Sequence, residues 1–310
     1  MKLIAIGDNV TDCYMDEGVY FPGGNAVNVA VNCKKNGAEK VNYLGVFGND
    51  DKAEYIRQCL EEEGVTVDRS RKVYAHTAQP RVYLKDGDRV FAAGLRDSCQ
   101  HLFAIKIVKE DMDVIQEYDI CHTSCYSNLE YELPLISQIC KVSFDFSEKR
   151  DQEYLERTCP YLTFAFFSGS DLTEEECEAL LKRVHGLGTS VVGVTRGSKG
   201  AIFYDGEKIC RQGIKKVEVI DTMGAGDSFI AGFLTAYGDG KTMEEALEDV
   251  PFKVAREKRF AVKPMEVEEA ILQMDMLGHS FFLFKLPETG EVALVYRRHD
   301  DSYGLLIPEE

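Results

Sequence analysis

The chain is 310 residues long, enough for roughly two domains or one large one. With 45% apolar residues it can bury a sizeable core, which argues against a disordered chain. A net charge of −17 and a pI near 4.9 argue against a broad nucleic-acid or anionic-membrane binder, and no apolar run approaches membrane-spanning length.

The first eight residues hold too short an apolar run for a signal peptide, so a cytoplasmic location is expected. The ten cysteines are scattered and read as reduced, mostly buried small hydrophobes. Leu3-Ile4-Ala5-Ile6, ending in Gly7-Asp8, reads as a buried first strand. Asp8, Asn9 and Asp12 follow its carboxyl end, the edge at which open α/β sheets bind ligands. Gly23-Gly24 opens an Ala- and Val-rich helix with Asn25 and Asn28 one turn apart on one face. Paired amides suit hydroxyl recognition, but a helix cap with a surface neighbour would read the same way. A second strand at 41–46 leads through Gly48-Asn49-Asp50-Asp51 into a helix to about Glu63. Segments 79–85 and 88–92 flank Asp86-Gly87, a hairpin signal.

Strand-like runs at 119–122, 142–146, 162–167 and 191–195 then alternate with helical ones, one of them over 174–185. This predicts a parallel, doubly wound sheet. Cys121-His122-Thr123-Ser124-Cys125 lacks a second ligand pair at the spacing a metal site needs. Thr173 and Glu176 read as a capping box. Thr195 leads into the glycine loop at 196–200, which on spacing alone is an ordinary strand connection.

The most informative stretch is Asp221-Thr222-Met223-Gly224-Ala225-Gly226-Asp227, entered by an extended run at 216–220 and left by a helical run at 228–234. Two glycines allow close backbone approach to a ligand. The helix start offers unpaired N–H groups and a positive dipole end to an anion. Asp227, in the first turn, is a carboxylate placed to take a hydroxyl proton. Together these suit phosphoryl transfer onto a hydroxyl, whereas a bare G-x-G would be only a glycine turn with a capping aspartate.

These seven residues resemble the C-terminal signature of the ribokinase-like (PfkB) carbohydrate kinases, and 21–30 resembles that family's N-terminal sugar-binding motif. The resemblance spans residues 1–248. It implies an α/β, ribokinase-like, doubly wound parallel sheet with a small β-sheet lid from about 12–22 and 76–95. It implies Asp227 as base, with the amides of Gly224, Ala225 and Gly226 as anion hole. Asp8, Asp12, Gly23, Gly24, Asn25 and Asn28 fall at substrate contacts, and Thr195, Gly197, Gly200 and Thr222 on the ATP side. ATP and Mg²⁺ are the implied cofactors. Two features depart from the family. Its N-x-x-E motif is replaced by Ser168-Gly169-Ser170-Asp171-Leu172-Thr173-Glu174, which leaves Asp171 and Glu174 as candidate Mg²⁺ carboxylates. The small-residue helix expected after 247 is missing, because Val250-Pro251 breaks the pattern. Segments 7–12, 23–31 and 221–233 look closest to fructoselysine 6-kinases, which phosphorylate the 6-hydroxyl of a glycated amino acid.

Residues 250–310 differ in texture. Ala270, Ile271, Met274 and Leu277 form a helical apolar stripe, and 281–284 and 292–296 read as strands joined by a turn at 287–290. Arg256-Glu257-Lys258-Arg259-Phe260, Lys263-Pro264-Met265, Leu277-Gly278-His279, Glu288-Thr289-Gly290 and Tyr303-Gly304-Leu305 resemble the C-terminal domain of long ribosome hibernation promoting factors. That resemblance implies self-association and a homodimer, which suits a unit of about sixty residues with a small core. Eight basic and eleven acidic residues from Val250 on give the tail a charge of −3. Its Arg clusters read as solvated, salt-bridged faces, and the ribosome-binding domain of those factors is absent. Three readings follow: an active sugar kinase dimerised by its tail, an impaired kinase fold that survives as a self-associating protein, and a ribosome-associated dimerisation protein. The Asp227 stretch favours the first.

Overall fold

The computed structural model describes residues 1–15, 19–85, 88–92, 96–214, 224–248, 262–276, 281–298 and 302–308. The first apolar run is strand β1 (Lys2–Gly7). It is followed by β2 (Val10–Tyr14), β3 (Val19–Gly23), helix α1 (Asn25–Lys35), β4 (Lys40–Phe47), α2 (Asp51–Glu62), β5 (Arg71–Lys72), β6 (Arg81–Lys85) and β7 (Asp88–Ala92). Helices and strands then alternate: α3 (Cys99–Leu102), α4 (Lys109–Ile115), β8 (Ile120–Ser124), α5 (Leu133–Ile136), β9 (Lys141–Asp145), α6 (Gln152–Thr158), β10 (Phe164–Ser168), α7 (Glu174–Gly186) and β11 (Val191–Thr195). A pair of short strands, β12 (Ala201–Tyr204) and β13 (Ile209–Gln212), precedes α8 (Ala225–Gly238) and α9 (Met243–Glu248). The tail contributes α10 (Val267–Met276), β14 (Phe281–Lys285), β15 (Val292–Arg297) and β16 (Tyr303–Leu306).

By its internal packing the chain divides into two compact units. One comprises Met1–Asp12, Tyr20–Pro80 and Ala92–Lys253; the other comprises Cys13–Val19, Arg81–Phe91 and Val254–Glu310. The first unit is built on a nine-stranded sheet in the order β13-β12-β11-β10-β9-β8-β1-β4-β5. Its strands are continuous apolar runs because both faces are covered. Alternate residues feed two separate cores. Leu3, Ala5, Val41, Tyr43, Phe164 and Phe166 pack on one side with residues of α1, α2, α8 and α9. Ile4, Ile6, Val142, Phe144, Ala165 and Phe167 pack on the other with residues of α4 to α7. The period of two in the side chains thus becomes two hydrophobic layers.

The expected parallel sheet is present, and two antiparallel strands extend it at one edge. Strands β4 and β5, β1, and β8 through β11 run parallel, but β12 pairs antiparallel with β11 and β13 antiparallel with β12. Connections this short can join only antiparallel neighbours. The small sheet expected as a lid has four strands in the order β3-β2-β6-β7, with β2 and β6 parallel. The Asp86-Gly87 turn lies outside the described residues. The Thr173–Glu176 capping box is present: Thr173 Oγ1 accepts from the Glu176 amide at 3.2 Å and Glu176 Oε2 from the Thr173 amide at 2.8 Å. All cysteines but Cys13 and Cys59 are buried, and none is in a disulfide. Among the described residues no helix is long and apolar enough to cross a membrane.

In the second unit the tail folds as helix α10 with an antiparallel sheet in the order β14-β15-β16. Its core is small: Ala270, Met274, Phe284, Ala293 and Val295. Arg297 and Tyr303 both bond to the Asp275 carboxylate, each at 2.6 Å. The expected strands at 281–284 and 292–296 are present, and β16 adds a third that short exposed residues did not announce. Leu277, the Arg256–Arg259 cluster and the joint at 249–252 lie outside the described residues.

Candidate active site

Parallel strands bring their carboxyl ends to one edge, so the residues that follow them are neighbours across the sheet. Asp8 follows β1, Ser124 ends β8, Asp145 ends β9 and Thr195 ends β11. At about 4.8 Å between adjacent strands, Asp145 lies roughly 10 Å from both the β1 and the β11 ends. Helix α1 starts at the same edge. Gly24 precedes it at φ 105°, where a Cβ would come within 2.8 Å of the Asp8 carbonyl oxygen. The bare glycine lets Asp8 cap the helix: its Oδ2 accepts from the Asn25 amide at 2.8 Å and its Oδ1 from the Ala26 amide at 3.4 Å.

The other helix at this site is α8. Phe233, fully buried, anchors it between Phe164, Phe166 and Phe203, with ring centroids 4.8–6.4 Å apart. Cys33 of α1 bonds to the Ala231 carbonyl on the neighbouring turn at 3.7 Å. Gly224 stands before the helix in the left-handed region, at φ 70° and ψ 8°. Ala225 and Gly226 are exposed, and Asp227 is half-buried in the first turn. Amides of a first turn have no acceptor within their own helix, so this end is chemically an anion site.

Asp227 is held by the two amides of α1. Asn25 Nδ2 donates to its Oδ1 and Asn28 Nδ2 to its Oδ2, both at 2.8 Å. Asn25 Nδ2 also donates to Asp145 Oδ2 at 2.8 Å, so one amino group joins two carboxylates. Asp145 takes a further bond from the Ser147 amide at 2.8 Å. Burial, then the charge of Asp145, pushes the Asp227 carboxyl up to about 7 against the bonds from Asn28 and Asn25. Burial, with the charge of Asp8, pushes Asp145 up to about 6 against the bonds from Ser147 and Asn25. Asp8 is buried and also accepts from Ser127 Oγ at 3.1 Å and Ser124 Oγ at 3.3 Å. Chemically, such a carboxylate can exchange a proton near neutral pH, and the helix start beside it offers amide N–H groups.

Asp12 is buried with Gly23 against it, close enough that a Cβ on Gly23 would collide with the Asp12 carboxylate. Thr195 lies half-buried at the end of β11, with Oγ1 donating to the Phe167 carbonyl at 3.3 Å. Gly197 opens a short 3-10 turn and Gly200 closes it before β12. Thr222 lies outside the described residues, as does the rest of 215–223. Asp171 is gripped by both terminal nitrogens of Arg150 at 2.9 Å, which lowers its carboxyl to about 2. Glu174 accepts from Arg211 Nε at 2.7 Å. These carboxylates face guanidinium groups, so the donor set does not favour a cation. Among the described residues no three His, Cys, Asp or Glu side chains form a metal-ligand group.

Sequence reasoning missed Asp145, His122, Ser124, Ser127 and Ser143 at this site. Asp145 carried a usable signal, a charged residue at the carboxyl end of an apolar strand. In the sequence His122 stands out only as part of the Cys121–Cys125 run. In the structure both of its ring nitrogens are engaged, by Ser143 Oγ and by Asn25 Oδ1, each at 2.9 Å.

The model of the pfkB family carbohydrate kinases matches residues 1–250, and that of the sigma 54 modulation/S30EA ribosomal protein C terminus matches residues 249–305. The fructosamine kinase FrlD of Bacillus subtilis is 46% identical over 238 residues, covering 76% of this chain and 84% of that protein. The fructoselysine 6-kinase of Escherichia coli is 38% identical over 250 residues, covering 80% and 94%. The ribosome hibernation promotion factor of Bacillus subtilis is 47% identical over 83 residues, which is 25% of this chain and 44% of that one. Among solved structures, Arabidopsis thaliana ribokinase complexed with ribose and ATP superimposes with a TM-score of 0.69 at 21% identity, over 79% of this chain and 88% of that one. At that identity the likeness establishes the fold alone.

Proposed function

Because the chain belongs to the pfkB family of carbohydrate kinases, we propose that it transfers the γ-phosphoryl group of ATP to the 6-hydroxyl of fructoselysine or a related glycated amino acid. The observation that carries this reading is Asp227, in the first turn of α8, fixed through both oxygens by Asn25 and Asn28. Asp227 takes the hydroxyl proton as the oxygen attacks. The amides of Gly224, Ala225 and Gly226 hold the charge that spreads over the transferred group. Asp8, Asp12, Gly23 and Gly24 shape the acceptor side next to Asn25 and Asn28. Thr195, Gly197, Gly200 and Thr222 serve the nucleotide side. Magnesium accompanies ATP, and holding it at Asp171 or Glu174 would require Arg150 or Arg211 to release its partner.

The impaired-kinase reading is the second one, and the absence of turnover together with a dimeric mass would favour it. The tail dimerises the enzyme, a reading supported by its likeness to the hibernation factor and by its small core. ADP release with a panel of ketosugar amines tests the activity. Turnover is expected with a fructosyl amino acid and falls about 10³-fold in Asp227→Asn, within the range for loss of a general base. Wild-type turnover confined to free hexoses would sink the substrate assignment, and undiminished turnover in Asp227→Asn would sink the mechanism.

A further inference from the structure

The amide of Asn25 is the hub of the site, and its orientation decides whether the site works. Its Nδ2 lies 2.8 Å from Asp145 Oδ2 and 2.8 Å from Asp227 Oδ1. Ionised carboxylates only accept, so both hydrogens of that amino group are used and the carbonyl Oδ1 must face the other way. There it meets His122 Nε2 at 2.9 Å. A carbonyl cannot donate, so Nε2 must carry the hydrogen. His122 is fully buried on β8, and burial holds its pKa down at about 3, so the ring is neutral with a single N–H. Nδ1 is then a bare lone pair, and Ser143 Oγ, 2.9 Å away, must be its donor. Ser143 is the register partner of His122 on the adjacent strand β9, so the sheet itself sets this contact.

We infer that His122 is a positioning residue: through a hydrogen-bond chain running Ser143 to His122 to Asn25, it locks the Asn25 amide with its amino group toward Asp145 and Asp227. The inference rests on Asp227 as the base. The opposite tautomer would turn the Asn25 carbonyl onto two carboxylates, a repulsive contact at hydrogen-bond distance. The carboxylates favour this orientation of the amide, and the Nε2–H of His122 adds a second bond that holds it there. The groups around Asp227 are Asn25 and Asn28 from α1, Asp8 after β1 and Asp145 from β9. Ser143 and Asn25 meet the imidazole itself. A histidine that merely fills the core has no reason to prefer one tautomer, and replacing it would lower stability without touching the base.

Two measurements test this. In the wild-type protein, ¹⁵N NMR of His122 at pH 8 to 9, where both carboxyls are ionised, is expected to show a neutral ring with hydrogen on Nε2; hydrogen on Nδ1, or an imidazolium, would overturn the inference. This readout does not depend on turnover, so an inactive wild type would sink the kinase assignment and leave the tautomer to decide the present one. With activity in hand, His122→Phe should lower kcat about 10–100-fold, leave the KM for ATP within about twofold, and raise the acidic limb of the pH profile. His122→Gln, which keeps a donor toward Asn25, should return kcat to within about fivefold of wild type. Folded His122→Phe with wild-type kcat and pH profile, or folded His122→Gln no better than His122→Phe, would overturn it. If His122→Phe does not fold, Ser143→Ala probes the same chain: mixed tautomers and a lower kcat are expected, and an unchanged tautomer with unchanged kcat counts against it.

Discussion

Burial raises both carboxyls that share the Asn25 amino group, and the charge of Asp145 adds to the rise at Asp227, so the proposed base should work near neutral pH. With Asp227 pushed up to about 7 and Asp145 to about 6, the protons leave the pair in coupled steps. A base acts only when ionised, so activity rises with pH through the Asp227 value and levels above it. The expected profile of kcat/KM falls about tenfold per pH unit well below pH 7 and is flat from about pH 8 upward. Asp145→Asn removes the like charge and should move the acidic limb down by about one unit. A profile flat from pH 5 to 9 would remove Asp227 from the role of base. Sequence could name Asp227, because a first-turn aspartate after a glycine turn is a local pattern. It could not show that Asp145, eighty-two residues earlier (227 − 145), shares its donor, because that proximity arises only from strand order in the sheet.

At the level of elements, what was local was legible. Apolar runs such as Leu3-Ile4-Ala5-Ile6 became buried strands, and Thr173 with Glu176 capped α7. The hairpin of β12 and β13 was missed although Asp205-Gly206 stands between them, the same signal that marked 86–87; its strands are only four residues each. The junction of β3 and α1 is where an element boundary and the site coincide. Gly24→Ala would strain the backbone at φ 105° and press a methyl against Asp8, which caps α1 and so sets Asn25. A strain of about 1–3 kcal/mol is expected, or a fall of about 2–10 °C in Tm at this chain length. Turnover should fall more than stability accounts for. Gly186→Ala, within α7 and with nothing within 4 Å of the new methyl, is the control and should leave turnover unchanged and Tm equal or slightly raised. Equal Tm for the two variants would show that Gly24 is not held by Asp8.

The whole molecule joins a large kinase unit to a tail that is too small to be comfortable alone. Five buried side chains form the described tail core, while Phe281, Tyr303, Leu305, Leu306 and Ile307 on its outer strands and just beyond remain exposed. Such apolar edges call for a partner, and a second copy is the occupant that the hibernation-factor likeness supports. The intact protein should therefore run in light scattering at twice the 34.9 kDa of one chain. Leu305→Lys with Ile307→Lys places two charges on each copy of that edge and should return the mass to that of a single chain. Turnover per chain should persist in the variant, because every side chain described at the site comes from residues 8 to 227 of one chain. A variant that stays dimeric would move the interface away from β16. A monomer that loses its activity would mean that the dimer completes the site, and the division of labour between kinase and tail would have to be redrawn.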